Sequence, residues 1–168
     1  MEFIGNYRDW LKQEWVEEIL TGDGKCSPRD LLLTEEPHSE DIKVEKAGYS
    51  MSAFYYSLFE PNDVSFELSI PGIPAGNVRW WITKMTPGQF MPIHRDPRIT
   101  KIDNIERFWM PWTNWDYGHI FAYKDTVVSN YNAGDLYKMP DANALHGSAN
   151  IGLTSRITLN IGVVRNNI

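Results

Sequence analysis

The chain has a single cysteine, Cys26, in 168 residues. A lone thiol forms no intramolecular disulfide and no multi-cysteine metal site. No histidine or acid beside Cys26 marks it as a nucleophile. Long apolar runs are missing too. The longest are a few residues, against the ~20 that a membrane span needs. Basic charge is scarce and scattered: 16 Lys+Arg against 22 Asp+Glu give a net charge of −6. No basic run exceeds two residues, so neither a nucleic-acid groove nor an anionic membrane surface has electrostatic support. The opening residues Met1 to Asp9 lack the basic start and apolar stretch of a signal peptide. No internal repeat or low-complexity tract is present. Apolar and aromatic material is plentiful, at 42% hydrophobic and 13% aromatic with seven Trp. That is enough for a real core and excludes a fully disordered chain. The expectation is one soluble, acidic, cytoplasmic domain over residues 1–168, at the usual ~100–200 residues per domain.

The pattern changes near the middle of the chain. Tyr7, Leu11, Trp15 and Ile19 recur every four residues, which predicts a helix over Asn6–Leu20 with Asn6 as N-cap and Gly22 as its stop. Residues 21–41 are rich in turn formers and acids and read as a long loop, with at most one helical turn around Leu31–Leu33. Met51, Phe54, Tyr55, Leu58 and Phe59 predict a second helix, ended by Pro61-Asn62-Asp63. After Val64 the period falls to two. Strands are predicted at Val64–Ile70, Val78–Met85, Ile105–Trp112, Gly118–Tyr123, Thr126–Tyr131, Asp135–Met139 and Arg156–Val164, with turns between them. The predicted fold class is therefore mainly β with N-terminal helices. Residues 1–63 form a helical part packed on a barrel or jelly roll of residues 64–164.

Only four histidines are present, His38, His94, His119 and His146. Two begin a His-x-acid pattern. His38 stands in the acidic stretch Glu35-Glu36-Pro37-His38-Ser39-Glu40-Asp41 and reads as a solvated surface residue. His94 follows a turn and a short extended run, so His94 and Asp96 share one face of a strand. His146 from another strand would complete two imidazoles and one carboxylate. That facial set leaves open positions on the metal, as in non-haem Fe(II) oxygenases. Arg156, with Thr158 two residues on and on the same face, makes a fork plus a hydroxyl suited to a carboxylate. Trp80, Trp81, Trp109, Trp112 and Trp115 either line a substrate pocket or fill the core. Arg98 and Lys101 either pair with an acidic substrate group or are solvated.

The sequence Gly88-x-x-x-Pro92-x-His94-x-Asp96, then Gly134-Asp135, His146-x-x-x-Asn150 and Arg156-x-Thr158 resembles the Fe(II)/2-oxoglutarate-dependent dioxygenases. Within them it is most similar to the aspartyl/asparaginyl β-hydroxylase branch. The resemblance covers residues 78–164 and implies a double-stranded β-helix, the cupin-like jelly roll. It implies that His94, Asp96 and His146 ligate Fe(II), and that Arg156 with Thr158 binds the distal carboxylate of 2-oxoglutarate. Arg107 resembles the strand arginine that reaches the carboxylate nearer the metal. Where the branch often carries a histidine two residues on, this chain has Trp109. His119 either substitutes from the next strand or is a buried core histidine, and Asn150 either supports His146 or ends its strand. The implied activity is hydroxylation of an unactivated C–H in an amino acid, a peptide or protein residue, or a small metabolite. O2 is consumed and 2-oxoglutarate is converted to succinate and CO2. The alternatives are a cupin-like metal- or ligand-binding domain without oxygenase activity, and a metal-dependent isomerase or sugar-binding cupin.

Overall fold

Alternation between large apolar and small polar residues continues through the second half of the chain and produces two facing antiparallel sheets. The computed structural model describes residues 1–26, 56–74, 77–95 and 105–165. Its strands are β1 (Glu2–Asn6), β2 (Lys25–Cys26), β3 (Ser57–Phe59), β4 (Asn77–Met85), β5 (Phe90–His94), β6 (Ile105–Pro111), β7 (His119–Tyr123), β8 (Thr126–Val128), β9 (Asp135–Met139), β10 (His146–Asn150) and β11 (Arg156–Val164). The larger sheet has the order β1-β9-β6-β11-β4-β3-β2 and the smaller β5-β10-β7-β8. From β4 onward the chain winds through both sheets in pairs, so that β4-β11-β6-β9 faces β5-β10-β7-β8. That order is the double-stranded β-helix, a jelly roll of two Greek keys.

Both faces of β11, in the middle of the larger sheet, are buried. On β11, Ile157, Leu159, Ile161 and Val163 point outward, each fully buried against Trp15, Val16 and Ile19 of helix α1 (Gln13–Thr21). Burying each such aliphatic side chain contributes about 1.5–3 kcal/mol. Arg156, Thr158 and Asn160 alternate with them and face the space between the sheets. Lys84 of β4 is buried, and its Nζ donates to the carbonyls of Leu20 at 3.1 Å and Gly22 at 2.5 Å. It thereby satisfies acceptors that the end of α1 leaves open.

The N-terminal part departs from the expected helices. Among the described residues only α1 is an α-helix. Of the predicted helix over Asn6–Leu20, the part from Gln13 on forms α1 and ends at Gly22 as expected, whereas Asn6 closes strand β1 and Arg8–Trp10 make a 3-10 turn. Pairing with β9 claims the first backbone groups: Glu2 lies opposite Lys138 and Asn6 opposite Asp135. The Asn6 amide donates to Asp135 Oδ1 at 2.7 Å, and the Tyr7 N–H donates to the Gly134 carbonyl at 2.8 Å. Of the second predicted helix, Met51–Tyr55 lie outside the described residues. Ser57–Phe59 form a strand because β4 offers an open edge there, with Phe59 opposite Ile82. Residues 1–63 are thus not only a helical part packed on the barrel, since β1, β2 and β3 extend its larger sheet.

The segment 64–70 is also corrected. Val64, Phe66, Leu68 and Ile70 are half-buried and pack on the outer core while Ser65, Glu67 and Ser69 are exposed. The period-two reading gives the right faces, yet no strand forms because no neighbouring strand completes a ladder. The predicted Thr126–Tyr131 strand stops at Val128, ahead of Asn130 at φ 57°.

Candidate active site

A pocket of about 50 Å³ lies between the sheets. The smaller sheet contributes Met91, His94, Phe121, His146 and Ser148 to it. The larger sheet faces them with Trp81, Thr83, Arg107, Trp109, Thr158 and Asn160. His146 and His94 are direct cross-strand partners on β10 and β5, with ring centres 4.5 Å apart and planes inclined by 49°.

A bulge sets this pairing. Ser148 lies opposite Met91 rather than Pro92, so β5 holds one extra residue between the two pairs. Strict alternation would send residues 90, 92 and 94 to the pocket, whereas the bulge brings Met91 and His94 to it. Gly147 permits the close approach. A Cβ there would come within 3.0 Å of the Met91 carbonyl oxygen and the Ile93 nitrogen. The His146 Nδ1–H donates to the Ala144 carbonyl at 2.9 Å. With the proton on Nδ1, the lone pair is on Nε2, the form a metal-ligating imidazole requires. Two imidazoles on adjacent strands fit a divalent metal. Asp96, the expected third ligand, lies outside the described residues, as do His38, Arg98 and Lys101. Among the described residues no group of three His, Cys, Asp or Glu is close enough to hold a metal.

The opposite wall carries a guanidinium, two hydroxyls and an amide. Arg107 is buried and lines the pocket, with its guanidinium carbon 5.9 Å from the Trp81 ring centre. Thr83 and Thr158 are cross-strand partners whose hydroxyls share a hydrogen bond of 2.7 Å. Asn160, between Trp81 and Trp109 in the ladder, adds an amide. Arg107 and Thr158, both singled out in the sequence, line this pocket. Asn160 was legible as the next same-face residue on β11, while Thr83 depends on a register that one strand cannot reveal.

Arg156 is placed differently from Arg107. It is 2% exposed and does not line the pocket. Its Nε donates to Tyr131 Oη at 3.2 Å and its Nη1 reaches Met85 Sδ at 3.7 Å, while Nη2 is without a hydrogen-bond partner. Its guanidinium carbon is 5.7 Å from the ring centres of both Trp109 and Phe121. Burial pushes its pKa down, with Tyr131 opposing.

The remaining candidates divide between the pocket and the packed interior. His119 is buried, with Nε2 within 3.0 Å of the Thr154 carbonyl, and it does not line the pocket. The Asn150 side chain makes no hydrogen bond to His146. It donates to the carbonyls of Met85 and Thr154, both at 2.8 Å, and accepts from the Gly152 N–H at 3.1 Å, so it pins the turn after β10. Of the tryptophans, Trp81 and Trp109 line the pocket, Trp80 and Trp112 belong to the outer core, and Trp115 packs on the inner one.

No family model matches the chain, and no curated protein matches it. Several solved structures are similar. One is a cupin 2 conserved barrel domain protein from Rhodopseudomonas palustris, 11% identical, covering 68% of this chain and 65% of its own at a TM-score of 0.44. Another, from Salinispora arenicola, is 12% identical over 64% of this chain and 75% of its own, with a TM-score of 0.41. A cupin domain from Bordetella pertussis is 19% identical over 56% of this chain and 88% of its own, with a TM-score of 0.40. The order of the two sheets makes the chain a double-stranded β-helix of the cupin-like kind.

Proposed function

We propose that this chain is a non-haem Fe(II)- and 2-oxoglutarate-dependent dioxygenase acting on an amino acid, a peptide residue or a small metabolite. The observation that carries the reading is the cross-strand His94–His146 pair, facing a buried arginine, two hydroxyls and an amide across one pocket. Asp96, two residues beyond His94, would complete the ligand set. When bound, the iron would supply activation of O2 and oxidation of a C–H bond.

The chain's own residues supply position and exclusion. The Ala144 carbonyl orients His146 and keeps Nε2 basic. Arg107 holds a carboxylate by its fork, and the Thr83, Thr158 and Asn160 side chains complete the polar wall. Trp81, Trp109 and Phe121 exclude water, which strengthens each charge–dipole contact inside. Arg156, on the face of β11 that also carries Thr158, is the candidate for the distal carboxylate.

A cupin-like metal- and ligand-binding domain is the second reading. The seclusion of Arg156 behind Trp109 and Phe121 favours it. Anaerobic titration of the Fe(II)-loaded protein with 2-oxoglutarate separates the two. The dioxygenase shows a weak visible charge-transfer band that saturates, and in air it forms succinate. Metal uptake with neither band nor succinate at millimolar 2-oxoglutarate leaves the binding domain.

A further inference from the structure

Three large apolar side chains gather where turns meet at one end of the strands. Leu153, Tyr117 and Ile151 are 93%, 82% and 72% exposed, the most of any large apolar residues described. They stand on the turn from β10 to β11 and on the connection from β6 to β7, and these two segments touch. The Ile151 N–H donates to the Gly118 carbonyl at 2.9 Å, and the Thr154 hydroxyl donates to Asp116 Oδ2 at 2.7 Å. The turn from β4 to β5, with Pro87 exposed, joins them, since the Gly88 N–H donates to the Asn150 carbonyl at 2.8 Å. A lone exposed leucine needs no explanation, whereas neighbours on touching turns make a patch. The patch is also free of charge. Residues 86–89, 113–118 and 150–155 hold one charged side chain, Asp116, in a chain that is 23% charged. Even that carboxylate is occupied locally, with Oδ1 accepting from the Tyr117 N–H at 2.8 Å and Oδ2 from Thr154.

We propose that these turns dock the protein on a zwitterionic lipid bilayer, with Leu153, Ile151 and Tyr117 entering it at headgroup level. Area and charge select this occupant. The three side chains expose roughly 400–500 Å², about half of the ~800 Å² that each partner gives to a stable protein interface. A second copy of the chain therefore finds too little surface here. A bilayer needs no matching shape and accepts apolar side chains to a depth of about 5–10 Å. Tyr117, whose ring centre lies 5.2 Å from that of Trp115, has the apolar body and polar tip that suit the headgroup boundary. The net charge of −6 opposes anionic lipid, while the uncharged turns carry no such penalty against a neutral surface. The turns are already tied to one another by backbone hydrogen bonds, so docking has little left to order. His94 and His146 stand at the opposite ends of β5 and β10, and docking leaves them uncovered.

The test is flotation of the full-length protein with phosphatidylcholine vesicles and with vesicles enriched in phosphatidylserine. The comparison is wild type, Ile151→Ser, Leu153→Ser, the double variant, and Val127→Ser as a control. Val127 is 60% exposed but pairs with Ala122, toward the other end of β7. Wild type should float with phosphatidylcholine, and phosphatidylserine should not improve it. Each serine at 151 or 153 should lower the partition coefficient roughly fivefold, and the pair at least tenfold. Val127→Ser should leave it unchanged. All three positions are exposed, so the urea midpoint of every variant should match wild type. Four results overturn the proposal: no flotation of wild type at millimolar phosphatidylcholine; equal flotation of the double variant; flotation only with phosphatidylserine; or, without lipid, a dimer in sedimentation velocity that the double variant dissolves. The last result would assign the patch to a second copy. No metal or 2-oxoglutarate enters the experiment, so its outcome is independent of the iron titration.

Discussion

Replacing Asn150 with alanine tests the turn that follows β10. Its side chain is fully buried and makes three hydrogen bonds, to the carbonyls of Met85 and Thr154 and from the Gly152 N–H. Gly118 and Gly152 bring two turns into contact here; a Cβ on Gly118 would come within 2.2 Å of the Gly152 nitrogen. The Thr154 carbonyl keeps His119 as a partner, whereas Met85 and Gly152 each lose the bond to this side chain. At about 1 kcal/mol for each lost bond, and more where a group stays buried, Asn150→Ala should cost about 2–4 kcal/mol. That corresponds to a fall in Tm of about 10 °C for a domain of this size. Urea unfolding monitored by tryptophan fluorescence reads it as a lower midpoint with an unchanged slope. Metal uptake should persist, because Ala144 and not Asn150 holds His146. A midpoint within error of wild type, or loss of metal with the midpoint unchanged, would refute this account of Asn150.

Arg156→Met should leave stability equal or higher, since a buried cation without a counter-charge gives way to an apolar side chain of similar length. If Arg156 anchors 2-oxoglutarate, the same variant should weaken its binding to the iron-loaded protein by roughly thirty-fold to several-thousand-fold, from ~2–5 kcal/mol per lost partner. Lys84→Met should destabilise the protein by about 1–2 kcal/mol, measured by thermal melting, because two carbonyls at the end of α1 lose their donor. Glu106 accepts hydrogen bonds from Lys138 and Arg165, and these hold its carboxyl below the ordinary value of 4.5. The unfolded chain binds the extra proton first, so this contribution is complete above pH 4.5 and is lost as pH falls through the lower folded value. Glu106→Gln should flatten that part of the acid unfolding curve by about 1 kcal/mol; an identical curve would contradict the pairing.

The β half was legible because its signal is local. Asp135–Met139 and Arg156–Val164 coincide with their predicted bounds, since turn residues flank both and Ile157, Leu159, Ile161 and Val163 alternate along the second. The N-terminal half misled for a physical reason. The stripe Tyr7, Leu11, Trp15, Ile19 does face one core, but an open edge on β9 offered residues 2–6 a ladder that a propensity argument cannot see. Phe59 went the same way against β4. At the candidate site, the order His94-x-Asp96, His146, Arg156 suggested convergence, and the family resemblance added Arg107. Register brings His94, His146 and Arg107 to one pocket, whereas Arg156 does not line it and packs beside the Trp109 and Phe121 rings from two other strands. The bulge at Met91–His94 likewise exists only as a relation between β5 and β10.

Metal analysis of the protein purified without chelator, followed by anaerobic Fe(II) titration, tests the metal site most directly. The wild type should take up one Fe(II) per chain. His94→Ala, His146→Ala and Asp96→Ala should each lose it while keeping the wild-type far-ultraviolet circular dichroism, and His119→Ala should retain it. Stoichiometric iron in either His94→Ala or His146→Ala would contradict the account.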